Sequence, residues 1–199
     1  MIIQEYSPQW AQDFKLLKYI FQSRLGDLIS AIEHVGSTSV VGLASKPVID
    51  IDIVVQEISN LDAVIRILRE LGYAHLGDRG ISGRESFELD EPDLMSIGLS
   101  QGLPAHNLYV CKADSLSLRN HLTVRRYLRK HPTSAQAYAE LKRKLAEVNP
   151  FDVPLYVQNK TSLIVSFLKA EGFSAAEIQQ ITSENLRPAS ACPEGRGTS

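Results

Sequence analysis

Eight consecutive residues, Val48-Ile49-Asp50-Ile51-Asp52-Ile53-Val54-Val55, constrain this chain more than any other stretch. β-Branched residues dominate, and apolar residues alternate with two acids, which is the pattern of a strand. Side chains alternate faces along a strand. Asp50 and Asp52 therefore share one face, and Ile49, Ile51 and Ile53 share the other. Two carboxylates spaced roughly 6–7 Å apart along the strand can converge on one or two divalent cations. Their oxygen atoms favour Mg²⁺ or Mn²⁺. Like charges on a buried strand face are costly unless something compensates them, and a metal ion does so. The alternative is a strand end where the acids meet solvent, or pair with Lys46 or an arginine.

Upstream, an apolar segment over residues 28–35 reads as a strand and stops at Gly36-Ser37-Thr38-Ser39. A glycine followed by three hydroxyl residues suits a phosphate. Glycine lets the main chain approach the anion, and N–H and O–H groups donate to it. An ordinary strand-exit turn has the same composition. The stretch also lacks the spacing and the Gly-Lys-Ser/Thr ending of a P-loop. Its weight comes from its position, because one strand ends in Gly-Ser, a loop over 37–46 follows, and the next strand carries Asp-x-Asp.

The rest of the chain builds around that pair. Ser7-Pro8 opens a helix over 7–25, with Trp10, Phe14, Leu17, Ile20, Phe21 and Leu25 recurring at three and four residues. Residues 61–71 are helical and end at Gly72. Weaker strands are expected near 73–76 and 85–89, a loop or excursion over 90–104, and a strand over 106–111. From Ser115 the pattern is helical, with segments near 115–130, 134–147, 153–171 and 174–184. The expected fold class is α/β (α+β), with a small mixed-sheet core over 1–114. A helical C-terminal half over 115–186 packs on that core, and a small, Pro/Gly-rich tail over 187–199 is mobile.

Composition narrows the function classes. The formal net charge of −2 argues against broad nucleic-acid binding, which needs many exposed cations. The two cysteines, Cys111 and Cys192, form no CxxC or Cys/His cluster, so a structural zinc site is not expected. The N-terminus carries no signal-peptide pattern, and no apolar run approaches the ~20 residues that span a bilayer. The expectation is a cytoplasmic protein without membrane association.

A Gly-Ser turn leading into an Asp-x-Asp strand resembles the nucleotidyltransferase (polymerase-β-like) superfamily. The stretch from Glu33 to Ile51 further resembles the signature of the GrpB family. So do Gly80-Ile81-Ser82-Gly83-Arg84-Glu85, His106-Asn107-Leu108-Tyr109-Val110, Arg119-Asn120-His121-Leu122, the run Arg125 to Pro132, and Tyr156-x-x-x-Lys160. The resemblance spans roughly residues 1–170. It implies a nucleotidyltransferase-type fold in which Gly36, Ser37, Thr38 and Ser39 grip nucleotide phosphates. Asp50 and Asp52 would then be catalytic and hold Mg²⁺ or Mn²⁺, with a nucleoside triphosphate as donor and a small molecule or protein as acceptor. Lys46 and Lys160 are the candidate phosphate cations. Glu85, or else Glu88, is the candidate third acid. His34, Arg84, His106, Arg125 and Tyr156 are further candidates, while at least two of Arg125, Arg126 and Arg129 read as a solvated helix face. The chain departs from the family at Val41, where proline is usual, at Asn107 and Tyr109, where histidine is frequent, and at Arg126, where an acid is frequent. The alternative function is a non-catalytic nucleotide-binding or accessory domain of the same fold.

Overall fold

The alternating stretch forms strand β2 (Ile49–Val55), in the interior of a five-stranded mixed sheet. The computed structural model describes residues 2–90, 102–148 and 153–185, and for residues 148 and 153–159 the main chain alone. The other strands are β1 (Ala31–Val35), β3 (Tyr73–His75), β4 (Arg84–Leu89) and β5 (His106–Lys112). Their order is β1-β2-β5-β4-β3. Strands β2 and β5 run parallel, and every other pair is antiparallel.

The two faces of the sheet have different partners. Ile49, Ile51, Ile53 and Val55 are buried on the face covered by α1 (Gln9–Leu25) and α2 (Leu61–Glu70). Leu17, Phe21, Leu25, Val64 and Leu68 fill that layer. The opposite face carries Asp50, Asp52 and Val54. There Val54 and Cys111 pack on Leu118 of α3 (Leu116–Lys130). Helices α4 (Pro132–Val148), α5 (Val153–Ala170) and α6 (Ala175–Asn185) complete this side.

Local chemistry accounts for most boundaries. Ser7 accepts the Gln9 N–H at 3.2 Å, so α1 starts at Gln9 and Pro8 stands at the N-cap, one residue later than the sequence pattern suggests. Gly72 follows α2 with φ of +89°, and its N–H bonds the Arg69 carbonyl at 3.0 Å. Ser115 caps α3 by accepting the Leu118 N–H. Ser174 and Glu177 form a reciprocal capping box at α6. The expected excursion over 90–104 lies largely outside the described residues, and the 187–199 tail lies wholly outside them. No helix among the described residues is long and apolar enough to cross a membrane.

Residues of the helical half hold the Gly-Ser turn through its carbonyls. Arg129 of α3 bonds the Ser39 carbonyl through Nη2 at 2.7 Å, and Arg125 bonds the His34 carbonyl and Glu33, both at 2.7 Å. From α4, the buried Lys142 donates to the Ala44 carbonyl at 2.5 Å. Val40, Leu43 and Ala44 pack beneath these contacts on Leu128, Tyr138, Ala139 and Phe167.

His34 is a packing residue. It stands opposite Ile51 in the strand register and so lies on the α1 face, away from the aspartates. Its ring stacks on Phe14 with centroids 4.6 Å apart, and Nε2 bonds Thr38 Oγ1 at 3.0 Å. Burial, reinforced by the Arg129 and Arg125 charges, lowers its pKa from 6.5 to about 4. Between those values the unfolded chain binds the extra proton, so stability present above pH 6.5 is lost as pH falls towards 4. In urea denaturation between pH 7 and 4.5, wild type should lose roughly 2–3 kcal/mol more than His34→Phe, which keeps the stacking and does not titrate. Equal losses would show that His34 is not held neutral.

Candidate functional site

Gly36 and Asp50 define the site. Gly36 follows β1 with φ of +66° and ψ of −172°, a region open essentially to glycine. A Cβ there would lie 2.0 Å from Asp50 Oδ2. The absent side chain is therefore what lets the turn close onto the carboxylate. Asp50, Ser37, Tyr109, Asn120, His121, Arg125, Tyr138 and Lys160 are among the residues lining a cleft of about 300 Å³ between the sheet and the helical half.

The two aspartates share a face, as the alternation requires, but their surroundings differ. Asp50 opens to the cleft. Asn107 Nδ2 donates to its Oδ1 at 2.7 Å. Burial pushes the Asp50 carboxyl up from the usual carboxylate range and Asp52 adds to the rise. The Asn107 hydrogen bond and the Lys160 and His121 charges oppose it. Asp52 is fully buried beneath, and its Oδ2 accepts from His121 Nδ1 at 2.8 Å. In the neutral ring this bond places the proton on Nδ1 and leaves Nε2 as the acceptor. Asp52 Oδ1 and Asn120 Oδ1 are buried acceptors without a hydrogen-bond partner.

The hydroxyl run divides in two. Ser37 faces the cleft, within hydrogen-bonding reach of the Tyr138 phenol. Thr38 and Ser39 are 2% and 6% exposed and serve the turn itself. Thr38 meets His34, and Ser39 Oγ donates to the Gly36 carbonyl at 2.6 Å. Their expected part as phosphate donors is thereby corrected, because the tight 3₁₀ turn over Ser37–Ser39 points both hydroxyls inward.

Other expectations are redrawn by the strand register. Ser86, Tyr109 and Asp52 are paired in turn across β4, β5 and β2 and share a face. Glu85, one residue away, lies on the isoleucine face and binds His75 at 2.8 Å. It cannot join Asp50 and Asp52 as a third acid. Glu88 has the right parity, but β5 separates its strand from β2. Asn107 stands directly beside Asp50, and an amide occupies that place. His106 is also turned to the core. Its Nδ1–H donates to the Pro104 carbonyl at 2.7 Å, and Nε2 accepts from the Tyr73 hydroxyl at 2.6 Å.

Among the cations, Lys160 lines the cleft, and Lys46 feels both Lys160 and Asp50. Arg125 lines the cleft while tethering β1. Arg126 pairs with Glu171 at the surface. Arg84 lies 4.3 Å over the Tyr109 ring, outside the cleft. Tyr156 lies on α5 among residues whose side chains are outside the described set. Two residues escaped the sequence reading. His121 sits in a family-like tetrad, but nothing local ties it to an acid 69 positions away. Lys142 reads as an ordinary helix lysine, yet it is 2% exposed, and burial with Lys160 and Arg143 nearby lowers it to about 7.

The donor set can be tested against a divalent cation. No group of three or more His, Cys, Asp or Glu is gathered for a metal among the described residues. Two carboxylates are nevertheless the usual protein share for Mg²⁺, which takes its other ligands from phosphates and water. The orphaned Oδ1 of Asp52 and the burial of Asp50 fit that arrangement.

The GrpB protein family profile matches residues 1–170. The chain belongs to the GrpB family. It is 32% identical over 159 residues to the UPF0157 protein YqkA of Bacillus subtilis, covering 80% of this chain but only 43% of that protein. It is 28% identical to the glutamate-rich protein GrpB of Alkalihalophilus pseudofirmus, covering 84% of this chain and 94% of the relative. The crystal structure of GrpB from Enterococcus faecalis superposes with a TM-score of 0.71 at 29% identity, covering 85% and 99% of the two chains. Cid1 poly(U) polymerase bound to MgGTP superposes with a TM-score of 0.50 at 13% identity, covering 78% of this chain and 50% of Cid1. That likeness is one of fold, and the fold is the nucleotidyltransferase fold.

The Gly36–Asp50 contact makes a direct prediction. Gly36→Ala should destabilise the protein by about 2–4 kcal/mol in urea denaturation, since it adds both backbone strain and a clash. Gly42→Ala is the control. Gly42 also has positive φ (+81°), but a Cβ there meets nothing within 4 Å, so only about 1 kcal/mol should be lost. Equal losses would remove the clash from the account.

Proposed function

We propose that the chain binds a nucleoside triphosphate in the cleft and transfers its nucleotidyl group to a small-molecule or protein acceptor. The observation that carries this reading is the apposition of the Gly36-Ser37 turn to Asp50. It sets main-chain and hydroxyl donors beside a carboxylate whose burial calls for a cation. Lys160 in the same cleft supports it, as does a fold shared with a polymerase whose structures hold MgGTP and MgATP.

In this reading Ser37 and the adjoining main chain orient the phosphates. Lys160 and Lys46 offset charge that builds on the departing pyrophosphate. Asp50 and Asp52 would hold Mg²⁺ or Mn²⁺. When bound, such an ion supplies charge neutralisation and a more acidic attacking hydroxyl. The acceptor oxygen forms a bond to the α-phosphorus as the bond from that phosphorus to the bridging oxygen breaks. Pyrophosphate leaves with that electron pair. His121, held by Asp52 through Nδ1, receives the hydroxyl proton at Nε2. The helices over the cleft limit water, which would otherwise compete as acceptor.

One observation favours a second reading. Asn107, not an acid, stands beside Asp50. A domain that binds nucleotide without turnover would tolerate that amide.

Calorimetry with ATP, GTP, CTP and UTP, with and without Mg²⁺, tests the proposal. At least one nucleotide should bind more tightly with Mg²⁺, and Asp50→Asn should weaken that binding tenfold or more. If none binds wild type, the proposal fails. If binding depends on Mg²⁺ but no acceptor tested yields pyrophosphate, the non-catalytic reading replaces turnover.

A further inference from the structure

A second cavity, of about 530 Å³, lies beyond Asn107 and Tyr109 from the cleft. Tyr109 lines both spaces, and Asn107 lines the second while bonding Asp50. Arg79, Arg84, Ser86 and Glu88 contribute its charged and hydroxyl side chains. His106 is also in its wall, but burial lowers its pKa, and Pro104 and Tyr73 already engage both ring nitrogens. The charged groups in the described wall are therefore two arginines against one acid.

Two donor groups in this wall lack a mate. Arg84 Nε and Ser86 Oγ are buried without a hydrogen-bond partner. Arg84 forms no ion pair among the described residues, and its guanidinium is braced over the Tyr109 ring at 4.3 Å. Arg79 occupies a left-handed conformation, φ +47°, with its turn held by Asp78 Oδ1 accepting the Gly80 N–H at 2.7 Å. Leaving a buried guanidinium nitrogen without an acceptor is unfavourable, by about 1–3 kcal/mol for a typical orphaned group. An oxoanion that presents two oxygens side by side is the partner that guanidinium geometry favours.

We infer that this cavity binds the anionic group of the acceptor. Arg84 and Ser86 receive a phosphate or carboxylate, Arg79 adds charge at the mouth, and the acceptor hydroxyl is directed past Asn107 towards Asp50. The acceptor is thus a small hydroxylated oxoanion rather than a polynucleotide. Its role as acceptor rests on the nucleotidyl-transfer reading, whereas the anion site itself does not.

The test uses the full chain and two-dimensional ¹H–¹⁵N NMR titrations with glycerol 3-phosphate, glycerate and neutral glycerol. Glycerol 3-phosphate or glycerate should shift amides of residues 84–87 and 105–109, and glycerol should not. Arg84→Gln should weaken the anion tenfold or more while leaving MgATP binding within twofold. Asp50→Asn should do the reverse. If Arg84→Gln does not fold, Arg79→Ala on the exposed turn serves, with a loss of at least threefold expected. Anion binding that survives in both variants overturns the inference. So does anion binding that MgATP displaces one for one, which would place it on the triphosphate site, and so does equal binding of glycerol. If anions bind here and no nucleotide binds anywhere, the anion site stands and nucleotidyl transfer falls. If nucleotide binds and no anion does, the inference alone falls.

Discussion

The alternation along β2 is the constraint on which the molecule depends. Four apolar side chains face α1 and α2 and bring the strand into the interior of the sheet. Their burial forces Asp50 and Asp52 onto the opposite face, where two carboxylates would be costly under a purely apolar cover. The cover there is polar at the point of need. His121 binds Asp52, Asn107 binds Asp50, and Lys160 and Lys46 lie close enough to act on Asp50 or on each other. The site is therefore the consequence of a core that tolerates acids on only one side.

The helical half closes the cleft by binding main chain. Arg125, Arg129 and Lys142 each donate to a carbonyl in or beside the loop that follows β1. Such contacts fix the Gly-Ser turn without drawing on its N–H groups. They also concentrate positive charge around a turn proposed to hold phosphates. Lys142, lowered to about 7 chiefly by burial, also feels that local excess through Lys160 and Arg143. The overall charge of −2 conceals it.

What the sequence made legible is what local periodicity encodes. The shared face of Asp50 and Asp52, the Gly36 turn and every described strand follow from patterns a few residues long. Glu85 shows the limit. In a weak strand a one-residue step reverses the face, and only pairing with β5 decides it. Thr38 and Ser39 show another, because composition identifies a hydroxyl-rich turn but not which hydroxyls its own hydrogen bonds consume. His121 and Lys142 act across 69 and 98 positions of chain, and no local pattern reaches that far. The resemblance to the GrpB family pointed to the candidate site but carried no assignment of these two.

The most direct measurement of the central claim is a crystal structure with Mn²⁺ and a non-hydrolysable nucleoside triphosphate analogue. The account predicts an anomalous Mn²⁺ peak at Asp50 and triphosphate density against the Gly36-Ser37 turn. Density on the isoleucine face near Glu85 and His75, or Mn²⁺ remote from Asp50, would contradict it.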